Sequence, residues 1–172
     1  MSLGVLRGPT SGPVLVFELG GESADDERGG FGIELASVVQ VLEPAALTLV
    51  PLAPAMVLGI MSHRGRIVTV IDPAPLLRGA TKPVMGPETR IVLLRQGQRQ
   101  SGNVGLLVAR VREIVPASEM KDSEVSPGSG TGWVAQRGRR LINVIEVEPL
   151  LETLVRAFEA NAKSRGAQGV TE

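Results

Sequence analysis

Apolar residues gather along this chain in short runs separated by glycine, proline and polar turns, the spacing of many β-strands rather than of long helices. Val14 to Leu19 (VLVFEL) and Phe31 to Leu35 (FGIEL) are two such runs, predicted as antiparallel neighbours joined by the acidic loop 21–30. Val38 to Leu42 (VVQVL) continues as strand and turns at Glu43-Pro44. In LTLVPLAPAMVLGI, Pro54 suits the first turn of a short helix and Gly59 its end, which predicts a helical plug at one end of a barrel. Ser62 to Gly65 is a turn, and RIVTVID (66–72) follows with apolar residues on both faces, the pattern of a strand interior to the fold.

The second half repeats the first. VIDPAPLL at 70–77 corresponds to VIEVEPLL at 144–151, with an acid third in both, and FGIELASVVQVLEP at 31–44 corresponds to VGLLVARVREIVPA at 104–117. Pairing Arg64-Gly65 with Arg137-Gly138 gives an offset of 73, and pairing Val70-Ile71 with Val144-Ile145 gives 74, which puts one added residue within Arg139-Arg140. Self-similarity of this length predicts two copies of one all-β unit. The first unit spans 14–82 and the second 83–148, with a linker at 78–89 and permissive stretches at the hairpin tip 98–103 and at 120–132. Trp133 opens the last hairpin, with its turn at Gln136 to Arg139. Residues 149–165 form an amphipathic helix whose stripe is Leu150, Leu151, Leu154, Val155 and Phe158, with Pro149 in its first turn and Gly166 at its stop. That stripe packs on a barrel or docks a partner helix. The ends 1–13 and 166–172 read as loose.

Composition narrows the chemistry. With no Cys and one His, disulfides, thiolate metal sites and Cys/His zinc sites are excluded. No segment approaches the eighteen or so apolar residues of a membrane span, so the cytoplasm is the expected location. Net charge is zero, yet residues 1–60 carry two Lys/Arg against seven Asp/Glu and residues 61–100 carry seven against two. Opposed local potentials of this kind steer protein partners, whereas a nucleic-acid-binding tandem barrel would carry a broad basic excess and aromatic platforms.

Catalytic constellations are thin. His63 stands beside Ser62 in a turn, and sequence neighbours of this kind do not make a nucleophile–base pair. Asp72 and Glu146, the matched acids of the repeat, lack the flanking residues that bring two carboxylates face to face, and suit capping instead. The expectation is a protein without enzymatic activity or cofactor. The most specific exposed feature is the turn His63-Arg64-Gly65, where the planar guanidinium of Arg64 bonds a carboxylate or carbonyl across an interface, or else a group within the chain.

Together these residues resemble the CheW-like coupling proteins of bacterial chemosensory systems. The likeness rests on Leu19-Gly20, on Phe31-Gly32-Ile33, on Thr48 to Pro51, on Pro54 to Gly59, on Ser62-His63-Arg64-Gly65 followed by RIVTVID, and on VGLLVARVREIV and RRLINVIEVEPLL in the second half. It covers about Val14 to Leu154. The resemblance implies two intertwined five-stranded SH3-like barrels, and an adaptor linking chemoreceptor tips to the regulatory domain of a CheA-like histidine kinase. It places Arg64, Gly65, Gly59 and Val38 at the interaction surface, with His63 and Gln40 beside them. Ser62 and His63 stand where Asn and Leu are usual, Asp72 is followed by Pro73-Ala74 instead of Leu-Arg, and Gln40 replaces a common acid. These departures leave open a specialised auxiliary adaptor that retains only one partner.

Overall fold

The computed structural model describes residues 11–20, 30–78, 83, 85–96, 100–123 and 132–166. The leader 1–10, the acidic loop 21–29, residues 79–82 and 84 of the linker, the hairpin tip 97–99, residues 124–131 and the tail 167–172 lie outside the described residues. Among the described residues the strands are β1 (Val14–Glu18), β2 (Phe31–Glu34), β3 (Val38–Leu42), β4 (Val57–His63), β5 (Arg66–Ile71), β6 (Arg90–Gln96), β7 (Gln100–Val108), β8 (Arg110–Val115), β9 (Lys121–Asp122), β10 (Gly132–Arg137) and β11 (Arg140–Ile145). Helix α1 (Ala74–Arg78) follows β5, and helix α2 (Val147–Gly166) follows β11.

The strands form one sheet in the order β8-β1-β2-β11-β10-β9 and another in the order β3-β6-β7-β5-β4. The two copies of the repeat therefore exchange strands. Strand β2 of the first copy lies parallel to β11 of the second, with Gly32 opposite Val144, while β7 of the second lies parallel to β5 of the first, with Gly105 opposite Val70. Gly32 and Gly105 correspond in the repeat, and each occupies a crossing with no room for a side chain. A Cβ would meet Val14 Cγ1 at 2.5 Å in the first case and Ile91 Cγ2 at 2.5 Å in the second.

Each barrel is closed by the chain that leaves its outer strand. Thr48, beyond β3, bonds Ile60 of β4 through both backbone groups at 2.8 Å, and β9, beyond β8, pairs with β10. The sheets thus hold five and six strands, the sixth being the two-residue β9.

Strand alternation distributes the apolar residues among three cores. Val14 and Val16 fill one barrel with Val115, Ala135, Ile142 and Val144, while Ile91 and Leu93 fill the other with Leu42, Met61, Val68 and Val70. The opposite faces of the same strands, Leu15 and Phe17 of β1 and Val92 and Leu94 of β6, meet between the barrels together with Ile33, Ile71, Leu106 and Leu150. This double burial is why β1 and β6 read as unbroken apolar runs. At about 1.5–3 kcal/mol for each large side chain taken from water, the shared middle core locks the barrels into one body.

Two expectations change. No helix spans Pro54 to Gly59: a single turn closes with the Val57 N–H on the Pro54 carbonyl at 2.9 Å, and β4 begins there. Pairing along the whole of β5 outweighs the local proline-to-glycine signal. In addition, β5 lies between β4 and β7 as an interior strand should, yet Ile67 on its outward face is 59% exposed.

Candidate interaction surface

The hairpin β4–β5 closes through the two residues Arg64 and Gly65, with His63 opposite Arg66. Both turn residues have positive φ, 50° and 75°, the backbone of a type I′ turn whose twist matches that of the strands. Glycine suits the second position, and a Cβ there would meet open space. Arg64 holds the left-handed conformation without that freedom, at a cost on the order of 1 kcal/mol. It is exposed, and among the described residues no carboxylate pairs with it.

The hairpin β10–β11 of the second copy sets the comparison. Its turn is Gly138-Arg139, with Arg137 opposite Arg140 and Gly138 at φ 60°. Strand pairing aligns His63 with Arg137 and Arg64 with Gly138, so the offset is 74 throughout the hairpin and the added residue lies between β8 and β10, not within Arg139-Arg140. Arg64 and Arg137 are consequently not counterparts. Arg137 is a strand residue whose guanidinium holds Glu113 at 2.7 Å and Glu119 at 2.6 Å, an internal clamp on the second barrel. Arg64 stands at a turn corner and clamps nothing among the described residues.

The remaining expected residues divide. Ser62 and His63 are consecutive in β4, so their side chains leave opposite faces, Ser62 exposed and His63 half-buried. They do not form a nucleophile–base pair. Gly59 is buried inside β4 at a bulge, with φ 151°, and a Cβ there would lie 2.6 Å from the Thr48 carbonyl oxygen. Its bare backbone is what lets the closing segment approach. Val38 and Gln40 lie half-buried on β3, a strand paired with β6, and not on the β4–β5 hairpin itself.

Sequence reasoning missed the outward apolar residues. Val39 and Val41 project from β3 at 40% and 37% exposure, and Ile67, whose cross-strand partner is Ser62, flanks the Arg64 turn. The signal was available in VVQVL, a run apolar on both faces at the end of a sheet. A guanidinium beside an exposed isoleucine on a rigid hairpin is a good anchor for a protein partner, combining directional hydrogen bonds with apolar contact.

Other ionisable groups serve the fold. Asp72 is buried at the end of β5, where Oδ1 accepts the Ala74 N–H at 2.9 Å and caps α1, while Oδ2 is buried without a partner. Burial pushes this carboxyl above its ordinary pKa, and the single backbone bond offsets only part of that. Glu18 on β1 is also pushed up by burial, but the guanidiniums of Arg110, at 2.9 Å, and Arg112 more than compensate and hold it below the usual range. No cluster of three or more His, Cys, Asp or Glu side chains suited to a metal occurs among the described residues, and no described helix is long and apolar enough to cross a membrane.

The CheW-like domain profile matches residues 13–155, a span that takes in both barrels and the first half of α2. The chain belongs to the CheW-like domain family. A relative, Protein FrzA of Myxococcus xanthus, is 29% identical over 129 residues, 71% of this chain and 78% of FrzA. The crystal structure of the scaffolding protein TtCheW from Thermoanaerobacter tengcongensis superposes with a TM-score of 0.66 at 24% identity, covering 84% of this chain and 93% of TtCheW. That likeness establishes the SH3-like barrel fold for both units. CheW-like proteins in general are non-catalytic scaffolds that couple chemoreceptors and CheA kinase. This chain is a chemotaxis coupling adaptor.

Proposed function

We propose that this chain is a cytoplasmic adaptor without catalytic activity of its own, joining the cytoplasmic tip of a chemoreceptor to the regulatory domain of a CheA-like histidine kinase. The observation that carries the reading is the Arg64-Gly65 corner: an exposed guanidinium in an unfavourable backbone conformation, beside exposed Ile67, with no ion-pair partner among the described residues. Arg64, Gly65 and His63 form the contact, Gly59 supports it through the closed edge of β4, and Val38 and Gln40 belong to a second contact on β3. Separate placement of the two groups suits one partner at each.

Isothermal titration against the kinase regulatory domain and against a receptor-tip hairpin tests this directly. The wild-type chain binds both, and Arg64→Glu weakens one of them at least tenfold with an unchanged melting temperature. If neither partner binds under conditions where an established coupler binds both, the reading fails. If binding loss merely tracks unfolding, Arg64 is structural.

A further inference from the structure

Helix α2 is where the two copies differ most. Helix α1 is described over five residues, whereas α2 runs for twenty, about 30 Å at 1.5 Å per residue. Its inner side is accounted for: Leu150 and Leu154 are buried in the middle core, Ala157 packs against it, and Asn161 Nδ2 donates to the Leu52 carbonyl at 2.6 Å. One position further along lies a second stripe, Leu151, Val155, Phe158 and Ala162, also spaced 4-3-4. Leu151 is half-buried against the middle core, and beyond it the stripe turns outward, with Val155 55% and Phe158 39% exposed. A 4-3-4 apolar stripe is the seam a helix presents to another helix.

Charge indicates which helix. Glu148, Glu152 and Glu159 line the same shallow depression as Leu151 and Val155, with one cation, Arg156, at 3.9 Å from Glu152, so the acids there outnumber the bases three to one. At 3.6 residues per turn these three acids stand about 50–90° from the centre of the stripe, while Arg156 and Lys163 stand about 110–130° away. The edge nearest the stripe is therefore acidic. A second copy of α2 on this face would set acid against acid, and anionic lipid or nucleic acid would be repelled.

We infer that the outer stripe of α2 docks a basic amphipathic helix of a protein partner, its apolar residues on Val155 and Phe158 and its cations against Glu148, Glu152 and Glu159. This surface is independent of the Arg64 hairpin and stands or falls separately from it.

A synthetic 14-residue leucine/lysine amphipathic helix serves as the probe, with its leucine/glutamate counterpart as control, titrated against the full chain. The lysine peptide should bind and shift the amide resonances of residues 148–162, and the glutamate peptide should not. Val155→Asp should weaken binding at least tenfold, and the double reversal Glu148→Lys/Glu159→Lys should transfer preference to the glutamate peptide. These residues are exposed, so melting temperatures should stay level. If Val155→Asp does unfold the chain, the double reversal alone decides. The inference is overturned if the lysine peptide does not bind at millimolar concentration, if both variants bind it unchanged, if the shifts fall on the barrel strands, or if Val155→Asp abolishes a self-association of the free chain.

Discussion

Replacing Arg64 with glycine should make the protein more stable and a poorer adaptor. At φ 50° an L-residue costs about 1–2 kcal/mol relative to its preferred conformations, and glycine removes that cost. Glycine in turn loses about 0.5–1 kcal/mol more backbone entropy on folding. Since the Arg64 side chain is exposed and clamps nothing among the described residues, no packing term enters, and the net gain is about 0.5–1 kcal/mol. For a chain of this size 1 kcal/mol moves the melting temperature by about 2–4 °C, so Arg64→Gly should melt about 1–4 °C higher. Asparagine, which tolerates the left-handed region, should give part of the same gain. Binding should move the other way, because truncating an interface arginine anchor costs about 2 kcal/mol, on the order of 30-fold in affinity. Thermal melts and titration with the kinase domain on the same preparations supply both numbers. A lower melting temperature would show that Arg64 has a structural partner, and unchanged affinity for both partners would remove it from the interface.

Three further outcomes follow from buried groups. Asp72 is held above its unfolded pKa, so its contribution to stability is fully present below the unfolded value of about 3.8 and is lost as pH rises through the folded value. Asp72→Asn keeps the cap acceptor without the charge, so its stability relative to wild type should improve between pH 4 and pH 7 in denaturant titrations. Glu18 is shifted the opposite way, and its contribution is present above the unfolded value of about 4.5 and lost as pH falls through the lower folded value. Glu18→Gln should cost about 1–2 kcal/mol at pH 7, measured by urea unfolding, with the difference shrinking at acid pH. Gly105→Ala forces a methyl group to within 2.5 Å of the buried Ile91 side chain and should destabilise by about 1–3 kcal/mol, as Gly32→Ala should against Val14.

The two-copy plan was legible because the same pleated positions need the same residues twice: Val70-Ile71 and Val144-Ile145 line equivalent cores, and Leu150 is buried as the final Pro-Leu-Leu suggested. Strand exchange left no periodic trace, since an apolar alternation specifies a face and not a neighbour. The Arg-Gly pairs misled for a related reason. Identity of residues suggested an offset of 73, but turn geometry pairs Arg64 with Gly138, and a I′ corner and its glycine-first counterpart place the glycine differently. Pro54 to Gly59 read as helix because local signals ignore a long cross-strand partner such as β5. On the surface, the turn at Arg64-Gly65 was legible from its glycine, whereas the exposure of Val39, Val41 and Ile67 was not, because an apolar strand residue carries no local sign of which face meets solvent.

The reciprocal pairing of β2 with β11 also governs how this protein is made. Phe31 sits beside Asn143, 112 positions later in the chain. At about 5–20 residues per second of synthesis, β1 and β2 leave the ribosome roughly 6–22 s before their neighbour exists. Throughout that interval Ile33, Phe17 and Leu15 have no finished core to enter, and the nascent chain exposes them to chaperones or to the matching strands of another unfinished chain. A premature stop before β7 therefore yields two incomplete sheets, because each sheet draws a strand from the second copy, and a stop between β7 and β11 completes only the five-stranded one.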